Sequence, residues 1–310
     1  MTVYLLVLLL FIAVPVGMEM RRKPMDDIAR QQAGGEFAAL SQGITHYQWL
    51  GPVRGPVVVC IHGLTMSSFV WNKLAHGLAL MGYRVLIYDL YGRGYSDRPK
   101  GPQDSAFFLQ QLNDLLADQQ IGDDITLLGY SMGGGIATTY AAANPDKVRQ
   151  MILLAPSGMG VVTARGGIFK LIKMVPVFGD WLMLAHFPRV QQKLVLAERN
   201  SPNPVEGIAD LILNELRYRG YIAAVLASMR GLLATTLKAE HHAIHQNGIP
   251  VLAIWARDDA IIPISAMGQL VSWSRSSRQE VIQGAGHTLI YTHTDQILDT
   301  LRETLRDGLN

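Results

Sequence analysis

Short apolar runs rich in β-branched residues alternate along the chain with stretches of helical spacing. Val57–Ile61 (VVVCI), Arg84–Asp89 (RVLIYD), Ile125–Tyr130 (ITLLGY) and Met151–Ala155 (MILLA) are too short and too uniformly apolar for one-sided strands. They predict strands buried on both faces of a parallel sheet. Between them, Ser68–Leu80, Ser105–Asp118 and Met132–Ala143 carry the 3–4 residue spacing of helices. Asp104 or Ser105 caps the second of these, and Asn144-Pro145 ends the third. Strand–helix alternation of this kind builds βαβ units. From Pro156 to about Gly248 the rhythm stops, and only helical stretches remain: Ile168–Met174, Asp180–Leu184 and Glu206–Leu233. It resumes with Ile249–Ala256 (IPVLAIWA), a helix near Ser265–Trp273, a strand near Arg278–Ile282 and a helix near Thr294–Asp307. The pattern predicts an α/β fold with a mostly parallel central sheet flanked by helices. The core spans 44–156 and 249–310, and a helical cap is inserted at 157–248.

The N-terminus differs from the rest. Thr2–Gly17 has no charged residue, and Arg21, Arg22 and Lys23 follow it. A helix over Thr2–Met20 would reach about 28 Å, close to the thickness of a hydrocarbon core. Residues 1–20 are therefore read as a membrane anchor contacting lipid, with the body held cytoplasmic by the following cations. A cleaved signal with a secreted or periplasmic body is the alternative, although no basic residue precedes the run and no A-x-A site follows it. Residues 21–43, polar and containing Gly34-Gly35, are read as a linker.

Composition narrows the function classes. Of 310 residues, 49% are hydrophobic and 17% charged, which excludes a disordered chain. The net charge of +2, with no cationic run longer than Arg21-Arg22-Lys23, gives no nucleic-acid footprint. Cys60 is the single cysteine, so neither an internal disulfide nor a cysteine-based zinc site can form. His241, His242 and His245 give an i, i+4 pair, but Glu240 precedes it, so there is no H-E-x-x-H; the group is read as a solvated cap-helix end. No G-x-G-x-x-G follows a strand, and no cofactor is expected. The pattern leaves the oligomeric state open.

One motif carries chemistry. Gly129-Tyr130-Ser131-Met132-Gly133 is G-x-S-x-G, placed after a predicted strand and at the start of a predicted helix. That turn is sharp and exposes the serine hydroxyl. Gly129 and Gly133 are small because strand and helix backbones crowd there. A serine hydroxyl is a weak nucleophile and needs a positioned base, which in turn needs an acid.

With this motif the chain resembles the α/β-hydrolase superfamily, in its cap-bearing serine esterase and lipase branch, similar to monoacylglycerol lipases or C–C hydrolases. The likeness extends over about Ile44 to Asp307. His62-Gly63 after VVVCI, the loop Asp89-Leu90-Tyr91-Gly92-Arg93-Gly94-Tyr95-Ser96, and Gly284-Ala285-Gly286-His287 carry it further. The resemblance implies Ser131 as nucleophile, His287 as base and Asp259 as acid, with Asp258 as the fallback. It implies an oxyanion hole made by the backbone N–H groups of Leu64 and Met132. His62, Asp89 and Arg93 are read as loop-fixing, and His46 and His76 as surface or packing residues. His293 lies where the family often has a proline beside Glu or His, and here Thr292-His293-Thr294 lacks it. Relatives that open epoxides or remove halides carry Asp where Ser131 stands. The expected substrate is a small-molecule acyl ester, lipophilic or lipid-derived, because the cap is rich in apolar residues such as Phe169, Trp181 and Phe187; those residues could equally form the cap's own core. Hydrolysis of C–C, amide or thioester bonds, perhydrolysis, and a non-catalytic anchored scaffold stay open.

Overall fold

The computed structural model describes residues 13–160, 175–199 and 205–307. Its centre is an eight-stranded sheet ordered β1-β2-β4-β3-β5-β6-β7-β8. The strands are β1 (Glu36–Leu40), β2 (Gly43–Leu50), β3 (Val57–Ile61), β4 (Arg84–Tyr88), β5 (Ile125–Tyr130), β6 (Val148–Leu154), β7 (Val251–Ala256) and β8 (Arg278–Ile282). β1 and β2 pair antiparallel, as do β2 and β4; every later pairing is parallel.

The apolar runs are explained by period-two alternation with both faces covered. In β3, Val59 and Ile61 enter one apolar layer with Phe108, Leu112, Ile136 and Tyr140. Val58 and Cys60 enter the opposite layer with Trp71, Leu74, Leu78 and Leu301. The helices, in chain order, are α1 (13–20), α2 (Asp27–Arg30), α3 (Asn72–Leu80), α4 (Ser105–Asp118), α5 (Met132–Ala143), α6 (Phe178–Arg199), α7 (Ile208–Glu215), α8 (Tyr221–Arg230), α9 (Lys238–Gln246), α10 (Ser265–Trp273), α11 (Leu289–Thr292) and α12 (Thr294–Asp307). The Asp104 carboxylate accepts from the Phe107 N–H at 3.0 Å and caps α4.

Three expectations need correction. Residues 21–43 are not a plain linker: they contain α2 and β1, and β2 starts at Gly43. Arg30 on α2 is buried and pairs with Asp97, and its Nε donates to the Tyr95 carbonyl at 3.1 Å. The short edge strand EFAAL buries only Ala38 fully, so its pattern carries no strand signature. α9 packs on the core helix α5 rather than belonging to the cap. His241 on α9 is fully buried beside Trp273, its ring 6.0 Å from the indole, so it is no solvated helix end. Burial lowers its pKa to about 4, with a smaller contribution from His242.

Among the described residues, no single helix is long and apolar enough to cross a membrane. Most of the expected anchor, residues 1–12, and the cap stretch Ile168–Met174 lie outside the described residues.

Candidate active site

Strand β5 ends at Tyr130, and the chain turns directly into α5 through Ser131. Ser131 sits at φ 53°, ψ −116°, in the left-handed half of conformational space. A non-glycine residue is strained there and persists only where its surroundings hold it. They do so here: the Ser131 N–H donates to the Leu154 carbonyl, and its carbonyl accepts from the Gly134 and Ser157 N–H groups, each at 3.0 Å. The turn also requires its glycines. A Cβ on Gly133 would lie 1.9 Å from the Ile61 carbonyl oxygen, and one on Gly129 would lie 2.5 Å from the Gly133 oxygen.

The structure brings the expected residues together. His287 Nε2 lies 3.0 Å from Ser131 Oγ, and His287 Nδ1 lies 2.7 Å from Asp259 Oδ2. The second carboxylate oxygen, Oδ1, accepts from the Ile261 and Ile262 N–H groups at 2.7 and 2.8 Å. The Asp259 side chain is fully buried, whereas Asp258 is exposed. Asp259 is therefore the aspartate joined to His287. Tyr130, which precedes Ser131, donates its hydroxyl to the His287 carbonyl at 2.7 Å and holds the turn carrying the imidazole. His293 bonds its neighbour Thr292 and takes no part in this arrangement.

The loop after β3 passes close to Ser131. A Cβ on Gly63 would meet Ser131 Cβ at 3.3 Å. The N–H groups of Leu64 and Met132 donate to no acceptor among the described residues. His62 Nε2 accepts from the Leu90 N–H at 2.9 Å, which places the ring proton on Nδ1. Nδ1–H then donates to the Gly63 carbonyl at 2.8 Å. That carbonyl belongs to the same peptide group as the Leu64 N–H. Drawing on one end of a peptide strengthens the donor at the other. Burial pushes the pKa of His62 down to about 4 against the pull of Asp89, so the ring stays neutral at physiological pH.

The cap holds the far side of the same loop. Arg93 is fully buried; its Nε donates to the Leu64 carbonyl at 3.0 Å. Its Nη1 donates to Tyr91 O and Gln103 Oε1 at 2.8 and 2.7 Å, and its Nη2 to Ser228 Oγ on α8 at 2.8 Å. Tyr221, also on α8, donates to the Thr65 carbonyl at 3.0 Å. Burial lowers the Arg93 pKa to about 10, still far above working pH. Glu215 at the end of α7 is buried and accepts from the Gly94 N–H at 2.9 Å. Its pKa is raised by burial, against the nearby Arg98.

A buried ion pair stiffens the Asp89 loop. His46 Nδ1 lies 2.7 Å from Asp89 Oδ2, and Nε2 faces the Gly34 carbonyl. Asp89 also accepts from the Ser68 and Tyr95 N–H groups at 2.8 and 2.9 Å. Burial alone would lower the His46 pKa, but Asp89 and the Gly34 carbonyl outweigh it and hold it above the ordinary 6.5. Burial alone would raise that of Asp89, but His46, His62 and Ser68 outweigh it and bring it from 3.8 to about 2. A raised histidine stabilises fully below its unfolded pKa and loses that contribution as pH rises through its folded one. A depressed carboxylate stabilises above its unfolded pKa and loses it as pH falls. The pair therefore contributes most between about pH 4 and 6.5. Denaturant titrations should show His46→Gln costing most stability near pH 5–6, the gap to wild type narrowing as pH rises above the ordinary histidine pKa of 6.5 and through the raised folded one. A gap that does not change with pH would rule out the ion pair.

A cavity of about 100 Å³ beside this loop is lined by His46, Ser68, Phe69, Asp89, Glu215 and Tyr218, among others. It does not include Ser131, Asp259 or His287.

A serine turn after β5, a buried aspartate after β7 and an imidazole after β8 thus meet at the carboxyl ends of the strands. Comparison with known families identifies the fold. Residues 56–182 and 225–294 match the family described as alpha/beta hydrolase fold, and the chain belongs to it. The pimeloyl-[acyl-carrier protein] methyl ester esterase of Aliivibrio fischeri strain MJ11 is 28% identical over 84% of this chain and 98% of its own. The enol-lactonase of Burkholderia xenovorans LB400 superposes with a TM-score of 0.73 at 19% identity, covering 87% of this chain and all of that one (100%). A meta-cleavage product hydrolase of Pseudomonas fluorescens IP01 superposes at 0.71 with 20% identity, over 88% of this chain and 98% of its own. The last two share the fold.

Proposed function

We propose that this hydrolase is a serine esterase that cleaves carboxylic esters with a lipophilic acyl part through an acyl-enzyme. The observation that carries the reading is the line from Ser131 Oγ through His287 to Asp259, at 3.0 and 2.7 Å. His287 Nε2 takes the Ser131 proton as Oγ attacks the ester carbonyl. Asp259 holds Nδ1–H, fixes the tautomer and stabilises the imidazolium that forms. The Leu64 and Met132 N–H groups hold the tetrahedral oxyanion, a kind of contact in which one donor is worth about 3–4 kcal/mol. As the tetrahedral centre collapses, His287 gives its proton to the leaving alcohol. Water, deprotonated by the same imidazole, then attacks the acyl-enzyme, and Ser131 leaves with its proton restored.

Two observations favour an apolar acyl group. Leu64 packs against the cap cluster of Leu182, Met183, Phe187 and Leu226, so apolar surface reaches the residue that supplies an oxyanion donor. The Aliivibrio relative is named as the esterase of an acyl methyl ester. Part of the cap's apolar content serves its own packing, since Met183 is 1% exposed. The apolar N-terminal stretch adds to the reading: we place the body at a membrane on its cytoplasmic side, in contact with lipid.

The test is a fluorophosphonate reaction on the full chain in detergent, with Ser131→Ala beside it and p-nitrophenyl esters of increasing chain length. Label mapping to Ser131, loss of turnover in the variant and an optimum at medium or long acyl chains are expected. A folded chain that neither labels nor turns over would overturn the reading. Faster turnover of ring-fission diketones than of any ester would move the reaction to C–C cleavage.

A further inference from the structure

The chain's exposed apolar side chains are unevenly placed. On the core side, Phe37, Val53, Leu80 and Val271 occur singly, and Ile28 lies on α2. The others fall in 13–20 and 175–211, that is, on α1 and the cap. Scattered single residues need no explanation, but a concentration of them does.

Helix α6 gives that concentration a pattern. Both of its carboxylates are engaged by other elements: Asp180 pairs with Arg230, and Glu198 accepts from the Tyr291 hydroxyl. Val190 and Leu194 follow each other at i, i+4 and are 37% and 52% exposed. Arg189 and Lys193 are exposed one position before each. Val190 and Leu194 thus form a short apolar strip among exposed polar residues, each preceded by a cation, with neither carboxylate of the helix left free beside them.

The N-terminal segment supplies a second, independent argument. The uncharged stretch Thr2–Gly17 runs into α1, and the chain is tied to the cap immediately after it. The Lys23 N–H donates to the Arg217 carbonyl at 3.0 Å, and the Arg219 N–H donates back to the Lys23 carbonyl at 2.8 Å. The Gly220 N–H donates to Glu19 Oε1 at 2.7 Å. Arg21, Lys23 and Arg217 are exposed at this junction. Residues 19–23, which follow the apolar stretch, are therefore held against the loop between α7 and α8, next to exposed cations. Cations placed this way complement an anionic lipid surface.

We infer that the cap rests on an anionic bilayer through the outward face of α6, with the N-terminal segment entering the same bilayer beside it. Any substrate dissolved in lipid would then meet the cap before water. That consequence rests on the esterase reading; the contact surface does not.

Cys60 is fully buried, so a cysteine introduced at an exposed position is the only thiol open to a dye. Leu194→Cys and, as the core control, Leu80→Cys (Leu80 is 91% exposed) would carry an environment-sensitive fluorophore in the full chain. The chain is reconstituted in nanodiscs of phosphatidylethanolamine with phosphatidylglycerol, and in nanodiscs of phosphatidylcholine. At 194, blue-shifted emission and quenching by spin-labelled lipid are expected in the anionic discs, severalfold stronger than in phosphatidylcholine. At 80, neither is expected. Arg189→Glu with Lys193→Glu should reduce the quenching at 194 severalfold. A dye at 194 as water-exposed as the one at 80 overturns the inference. So does a blue shift without lipid quenching, which would mean that protein covers the face. Equal quenching in both lipids, unmoved by the charge reversal, overturns the anionic surface. None of these readouts uses turnover, so failure of the esterase reading leaves them unchanged.

Discussion

Asp259→Asn is expected to lower kcat about 10,000-fold while the protein remains folded. Asp259 Oδ1 is already committed to two backbone N–H groups, at Ile261 and Ile262. An asparagine satisfying those donors must turn its oxygen towards them and its NH2 towards His287. Nδ1 would then face a donor instead of an acceptor. The imidazole would shift its proton to Nε2, where it could no longer accept from Ser131. Asp258→Asn is the matched control: Asp258 is exposed, and its backbone N–H, which the substitution keeps, donates to the Ala285 carbonyl at 2.9 Å. Its turnover should stay near wild type. Steady-state kinetics on one activated ester, with circular dichroism for both variants, separates the cases. A loss in Asp258→Asn with Asp259→Asn near wild type would mean that the acid has been assigned to the wrong aspartate.

Arg93→Met should be the most damaging single change to stability outside the apolar core. Methionine fills much of the volume but supplies no donor. It leaves the buried Leu64 and Tyr91 carbonyls without their guanidinium donor, while Gln103 and Ser228 keep only the bond between themselves. Each buried acceptor stripped of its donor costs about 1–3 kcal/mol. Urea unfolding measures that loss. Arg93→Lys should recover little, because one ammonium cannot reproduce the planar fork that serves several acceptors. The remaining folded fraction should react more slowly with fluorophosphonate, because the loop that carries the Leu64 N–H has lost the contact holding the Leu64 carbonyl on its far side. An Arg93→Met chain as stable as wild type would show that the network adds nothing to the fold.

How much of this was legible beforehand depends on how local each signal is. β3, β5 and β7 announce themselves because both faces are buried, so every position is apolar. β1 and β2 do not, since they pair antiparallel at the sheet edge with one side open, and Gly34-Gly35 reads as a break. Ser131 and His287 stand in short turns whose glycines are required by backbone crowding and by sharp turning, and such demands are written within five residues. For the aspartate, the resemblance prefers Asp259 with Asp258 as fallback, and only Asp259 is buried against His287. Gln103, Glu215 and Ser228 left no local mark at all. Their role comes from Arg93 and Gly94, and Ser228 is 135 positions away from Arg93 in the chain. His241 misled for the converse reason: a polar residue on a polar-looking helix faces inward because α5 packs there.

The order of elements along the chain has a consequence for the protein while it is being made. The strained serine turn, the loop after β3 and the cap are all translated before β7 and β8. The acid and the imidazole arrive only with those last two strands, which form the end of the sheet. A nascent chain can thus complete most of its sheet and its cap with a serine that has no base. Ribosome-bound chains stopped before Ile249 should be unreactive towards fluorophosphonate, and reactivity should appear only once β7 and β8 have emerged and docked. On the proposed mechanism, the newly made chain stays inert until its final strands close the sheet.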